Sequence, residues 1–131
     1  MMALKAIDQQ IFDWIYTVAD GLGFDVYDFL PQYEVAYPFV VIGEVQVVPR
    51  QVKHRTLGTL HVRLDLWAEQ ESRRQISDMT EDLMEQLSGW AELDSRWVKM
   101  AISNSTKRLL SDTSTDKPLW HGVLDLEFNI H

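Results

Sequence analysis

The 131-residue, 15.3 kDa chain suits a single domain over 1–131, compact-domain scaling giving roughly 7,000 Å² of folded surface. With 46% hydrophobic and 24% charged residues its composition favours neither disorder nor a membrane span, and no apolar run reaches the roughly 18 residues a membrane helix needs. Twelve Lys and Arg against twenty Asp and Glu leave a formal charge of −8, which disfavours general binding to nucleic acid or anionic membrane; the lack of cysteine excludes disulfides, thiol catalysis and cysteine-held zinc.

Leu4, Ile7, Ile11, Trp14, Ile15 and Val18 form one apolar stripe at helical spacing, with Asp8, Gln9, Asp13 and Asp20 between them. Gly21 and Gly23 supply the stop. The opening residues show no basic stretch ahead of an apolar core, so no leader is expected. An aromatic, acidic connection from Phe24 to Tyr37 follows, where Pro31 argues against a second long helix.

After Pro38, the run Phe39 to Val48 predicts a strand. Its odd positions Phe39, Val41, Val45 and Val47 make the more continuous apolar face, which would turn Val40, Ile42 and Val48 away from the helices. Pro49 is expected to end it. Past a basic loop, Leu60, Val62, Leu64 and Leu66 alternate with His61, Arg63, Asp65 and Trp67 in a second strand, antiparallel to the first because the connection is too short for a crossover.

Ser72 and Gln75 have capping-box spacing. Ile76, Met79, Leu83 and Leu87, flanked by Met84 and Trp90, give the second helix its buried stripe, and Gly89 is a stop signal. A third strand is expected around Val98, Met100 and Ile102. After a polar connection from Ser103 to Lys117, Pro118 opens the last strand, where Trp120, Leu124, Leu126, Phe128 and Ile130 alternate with His121, Asp125, Glu127 and Asn129. The expected fold is therefore α+β: an antiparallel four-stranded sheet, order α-β-β-α-β-β, with two amphipathic helices on one face.

Chemistry-bearing motifs are absent: there is no glycine-rich phosphate loop, histidine-glutamate zinc motif or nucleophile elbow. No catalytic, cofactor or metal residue is assigned. His61 with Asp65, and His121 with Asp125, are each four apart on a strand, so each pair spans roughly 13 Å and cannot share one metal. Only a cross-strand approach of His61 and His121 would make half of a site. His54 reads as a loop-surface histidine.

Surface features point instead to protein contact. Arg50, Lys53 and Arg55 concentrate positive charge in an acidic chain, which reads first as a solvated hairpin loop, next as a docking surface for an acidic protein and last as a nucleic-acid contact, and Lys107 and Arg108 offer a second small patch. Val40, Ile42 and Val48, with Trp67, Trp97 and Val123, are expected to face outward, where a second subunit would bury them. The alternative is a thicker monomer core closed by the Phe24 to Tyr37 segment.

The opening helix, Tyr37-Pro38-Phe39-Val40-Val41-Ile42-Gly43, the Leu57 to Trp67 strand, the second helix and the Leu119 to Phe128 ending together resemble the tail-terminator or tail-completion proteins of long-tailed bacteriophages, a group with head-to-tail joining members. The resemblance implies a non-enzymatic subunit that joins a homo-oligomeric ring, commonly a hexamer, at the head-proximal end of the virion tail after assembly in the host cytoplasm. Its implied partners are the major tail tube protein and the head-tail connector, with DNA passing through the ring without sequence recognition and with no cofactor or membrane. The Pro49 to Thr56 loop and the Ser103 to Lys117 connection become candidate neighbour contacts. A head-completion or neck adaptor is the alternative role, and a small enzyme using the open sheet face a less favoured one.

Overall fold

The computed structural model describes residues 4–131, apart from the side chain of Thr56. The first helix, α1 (Ile7–Gly21), turns Ile11, Ile15 and Ala19 inward as the stripe predicts. Leu4 lies ahead of it and is exposed. Gln10 is also buried: its Nε2 donates to Lys5 O at 2.7 Å and to Ser95 Oγ at 2.9 Å, and its Oε1 accepts from Ser95 N at 3.1 Å. A buried amide is tolerable because both its ends are satisfied.

Strands β1 (Val26–Tyr27), β2 (Phe39–Val52) and β3 (Arg55–Glu69) come next. A single 3-10 turn, Gln70–Ser72, leads into α2 (Arg73–Leu87). Ser72 occupies the N-cap but makes no side-chain cap bond, so the capping box expected from Ser72 and Gln75 does not form; the preceding turn supplies the entry instead. The chain then makes β4 (Trp90–Glu92), β5 (Trp97–Met100), β6 (Thr106–Asp112) and β7 (Leu119–Ile130).

These strands form one sheet in the order β1-β2-β3-β7-β5-β4, with β6 also paired to β7. The expected four-stranded antiparallel sheet is therefore wrong: there are seven strands, β1 runs parallel to β2, and the sheet curls into a half-barrel. The three additional strands, β1, β4 and β6, come from segments whose pattern suggests connections or a helix edge. β1 and β4 hold two and three residues, too few for alternation to show, and β6 mixes Lys107, Arg108, Ser111 and Asp112 with only two leucines. Ile102 lies beyond β5 in a 3-10 turn and is exposed.

The long strands place their even positions under the helices. Leu60, Val62, Leu64, Leu66 and Ala68 of β3 join Leu124, Leu126, Phe128 and Ile130 of β7 in one core with Ile76, Met79, Leu83 and Leu87 of α2. Full burial of each such aliphatic is worth about 1.5–3 kcal/mol. α2 comes so close to β7 that a Cβ on Gly122 would sit 2.9 Å from Thr80 Cγ2.

β2 behaves differently. Its pairing with β3 shifts between Ile42 and Val45, a bulge that exchanges the two faces of the strand. Val40 and Ile42 consequently point into the core, 0% and 1% exposed, while Val45 and Val47 take over the core side beyond the bulge. The expectation that Val40 and Ile42 face outward is corrected by that bulge. Val123 is also buried, enclosed on the far side of the curled sheet.

Candidate assembly surface

The face of the sheet away from the helices is built from Asp65, Arg63, His61 and Trp67 of β3 and from His121, Asp125 and Glu127 of β7. Register places His61 opposite Glu127 and His121 opposite Trp67. The two histidines are thus separated by six residues along β7, about 20 Å, and no half-site for a metal forms between them. Each histidine has its own partner. His121 Nε2 donates to Asp65 Oδ1 at 2.6 Å and stacks on Trp67 with ring centroids 3.9 Å apart; His61 Nε2 lies 3.4 Å from Glu127 Oε1. Burial pushes the Asp65 carboxyl up, but the bonds from His121 and Arg63 outweigh it, so Asp65 ionises below the usual aspartate value. This is a braced, ion-paired surface, and among the described residues no group of three metal-ligating side chains occurs.

The basic segment is not a loop. β2 and β3 stay paired from Val48–Thr59 out to Val52–Arg55, turning over Lys53 and His54. β7 reaches only Gly58, so the ribbon projects past the third strand as an arm carrying exposed Arg50, Lys53, His54 and Arg55. Pro49 does not end the strand because β2 is an edge there: β1 covers only Val40 and Val41, and a missing N–H is harmless on an edge. Gly58, opposite Pro49, has φ +138°.

Lys107 and Arg108 lie on β6. Lys107 Nζ donates to Ser77 O and Glu81 Oε2, both at 3.2 Å, bracing β6 against α2. Arg108 Nη2 reaches Asp125 Oδ2 at 3.5 Å. β6 has no second strand neighbour among the described residues, so besides the short terminal strands β1 and β4 the sheet is open along β2 beyond Val41 and along β6.

Of the apolar candidates, Val48 is 44% and Trp97 47% exposed, while Trp67 is half-buried under His121. The Phe24 to Tyr37 segment does not close the core as a whole. Phe24 and Val26 pack inward, but Phe29, Leu30 and Tyr33 are 78%, 59% and 75% exposed. Trp90 is exposed as well, in edge contact with Trp97 at 6.5 Å. None of these four residues is among the outward-facing candidates of the sequence: spacing puts Trp90 at the margin of a helix, and the Phe24 to Tyr37 segment reads as a connection that closes the core only in the alternative reading.

Residues 12–131 match the family model described as tail completion protein gp17. The chain belongs to this family. No curated protein matches it. Among solved structures, it is similar to a chain in the virion of a native gene transfer agent particle, with a TM-score of 0.65 and 15% identity over 95% of this chain and 94% of that one. At this identity the likeness shows a shared fold. Family membership makes this tail completion protein a non-enzymatic structural component of a virion tail at its head-proximal end. Tail completion proteins as a group engage tail tube and connector components.

Proposed function

We propose that this tail completion protein works as a ring, commonly of six copies, that caps the tail tube, presents a docking surface to the head-tail connector and lets DNA pass without reading its sequence. The observation that carries this reading is the projecting β2–β3 arm. Three cations on a ribbon with no third strand beneath it are placed to reach an acidic neighbour, since exposed charge on a protruding element steers and registers an encounter. The open edges of β2 and β6 add further surface for contact, as unpaired edges are liable to bind another polypeptide unless covered.

Electron microscopy with mass measurement, on the chain alone and with purified tail tubes, tests the reading. Closed rings, free or seated on tube ends, are expected. Arg50→Gln/Lys53→Gln should leave the fold intact and weaken docking to the tube or connector about tenfold or more, with a steep dependence on salt. Docking unchanged by that double substitution assigns the contact elsewhere.

A further inference from the structure

The two ends of the sheet carry opposite chemistry. At the β1 end, residues 28–34 read Asp-Phe-Leu-Pro-Gln-Tyr-Glu, and no Lys or Arg occurs anywhere from residue 6 to residue 49. Phe29, Leu30 and Tyr33 stand out from this segment, and Asp28 and Glu34 flank them. Large apolar groups left so exposed on an anionic segment form a ligand without a receptor in their own subunit.

At the β4–β5 end, an open cavity of about 580 Å³ is lined by Trp90, Trp97, Arg96, Arg55, Ser95 and His131. The tryptophans provide an aromatic wall, and Lys99 Nζ lies 5.4 Å from the Trp90 ring centroid. Arg96 donates from Nε to His131 O at 2.9 Å, while its Nη2 is buried without a hydrogen-bond partner among the described residues. A buried guanidinium N–H without an acceptor is costly, and a carboxylate is the acceptor that best answers it. Of the nearby acids, Asp94 lies 3.8 Å from Lys5 Nζ, and Glu92 is exposed opposite Trp97.

We infer that the 28–34 segment of one copy seats in the Trp90–Trp97 groove of the next, its aromatics against the tryptophans and its carboxylates toward Arg96, Arg55 and Lys99. β1 and β4 occupy opposite ends of the strand order, so donor and receptor belong to different patches. Such a contact is heterologous: it leaves a free donor and a free receptor after every step, and it ends only when the chain of subunits closes. This inference rests on the ring reading and names the contact that builds the ring.

Two variants test it: Phe29→Ser/Tyr33→Ser, lacking the donor, and Trp90→Ala/Trp97→Ala, lacking the receptor. Each should remain folded by circular dichroism, because the replaced side chains are about half or more exposed, and each should lose rings, with subunit affinity falling about thirtyfold or more. Mixed one to one, they retain one good donor and one good receptor, so native mass measurement should find a dimer at twice the 15.3 kDa chain mass and nothing larger. If an aromatic pair proves necessary for folding, Asp28→Lys and Lys99→Glu carry the same test. Rings from both variants, or no dimer from the mixture, overturn this contact while leaving the ring intact. Failure of the unaltered chain to form rings, alone or on tail tubes, overturns the ring reading and this inference together.

Discussion

Asp65 is the residue on which the outer sheet face turns. It accepts from His121 of β7 and from Arg63 two positions away on its own strand, so its charge ties β3 to β7 on the side opposite the helices. Its pKa is lower in the folded chain than the ordinary 3.8. A depressed carboxylate contributes stability that is present above the unfolded value and lost as pH falls through the folded one. Asp65→Asn should therefore cost about 1.5–3 kcal/mol near neutral pH, the range for a hydrogen bond to a charged group. That gap should hold above the ordinary aspartate range and shrink as pH falls through it toward the lower folded value. Urea unfolding of both proteins across this range is the measurement, and a gap that stays constant at low pH would assign the loss to packing instead.

The β2–β3 ribbon owes its course to two irregularities. The bulge after Ile42 turns the strand over, and Gly58 lets the arm bend where β7 gives out. At φ +138° a side chain is strained, and a Cβ there would also collide with Val48 O. Gly58→Ala should thus destabilise the domain by about 2 kcal/mol or more. Hydrogen exchange should quicken first in the 48–59 ribbon, with the β3–β7 centre protected longest. Uniform loss of protection would mean that arm and core unfold as one unit. The same irregularities explain what was legible beforehand. The stripes of α1 and α2 and the alternation of β3 and β7 persist for three or more turns or repeats, so their spans and inward residues were readable. A bulge changes the phase of a strand while leaving its apolar composition intact, and the local sign of it is Gly43, an isolated glycine inside a strand pattern, which alternation by itself does not weigh. Val40 and Ile42 were misplaced for that reason alone. The basic residues of the arm stand out in composition, and the structure shows them exposed on the ribbon; Pro49 ends a central strand but not an edge.

Charge is distributed over the whole molecule so that assembly and DNA transit make different demands on it. Six copies at −8 each would carry a formal total near −48, and yet Arg50, Lys53 and Arg55 sit on a ribbon that runs past the end of β7. Were those cations to line the opening, each bound phosphate would release counterions and hold the duplex in place; a passage that must let DNA slide is better served when they are spent on neighbouring acids. Composition made the excess of acid visible, but the pairing of one end of the sheet with the other required the strand order, which no local pattern specifies. The expected outcome is that assembled rings retain linear duplex DNA weakly or not at all at about 0.15 M salt, where the screening length is about 8 Å. An electrophoretic mobility shift with rings of the unaltered chain measures this. Tight retention with a steep salt slope, abolished by Arg50→Gln/Lys53→Gln, would put the arm inside the opening instead of against another protein, because only cations facing the duplex can produce that slope.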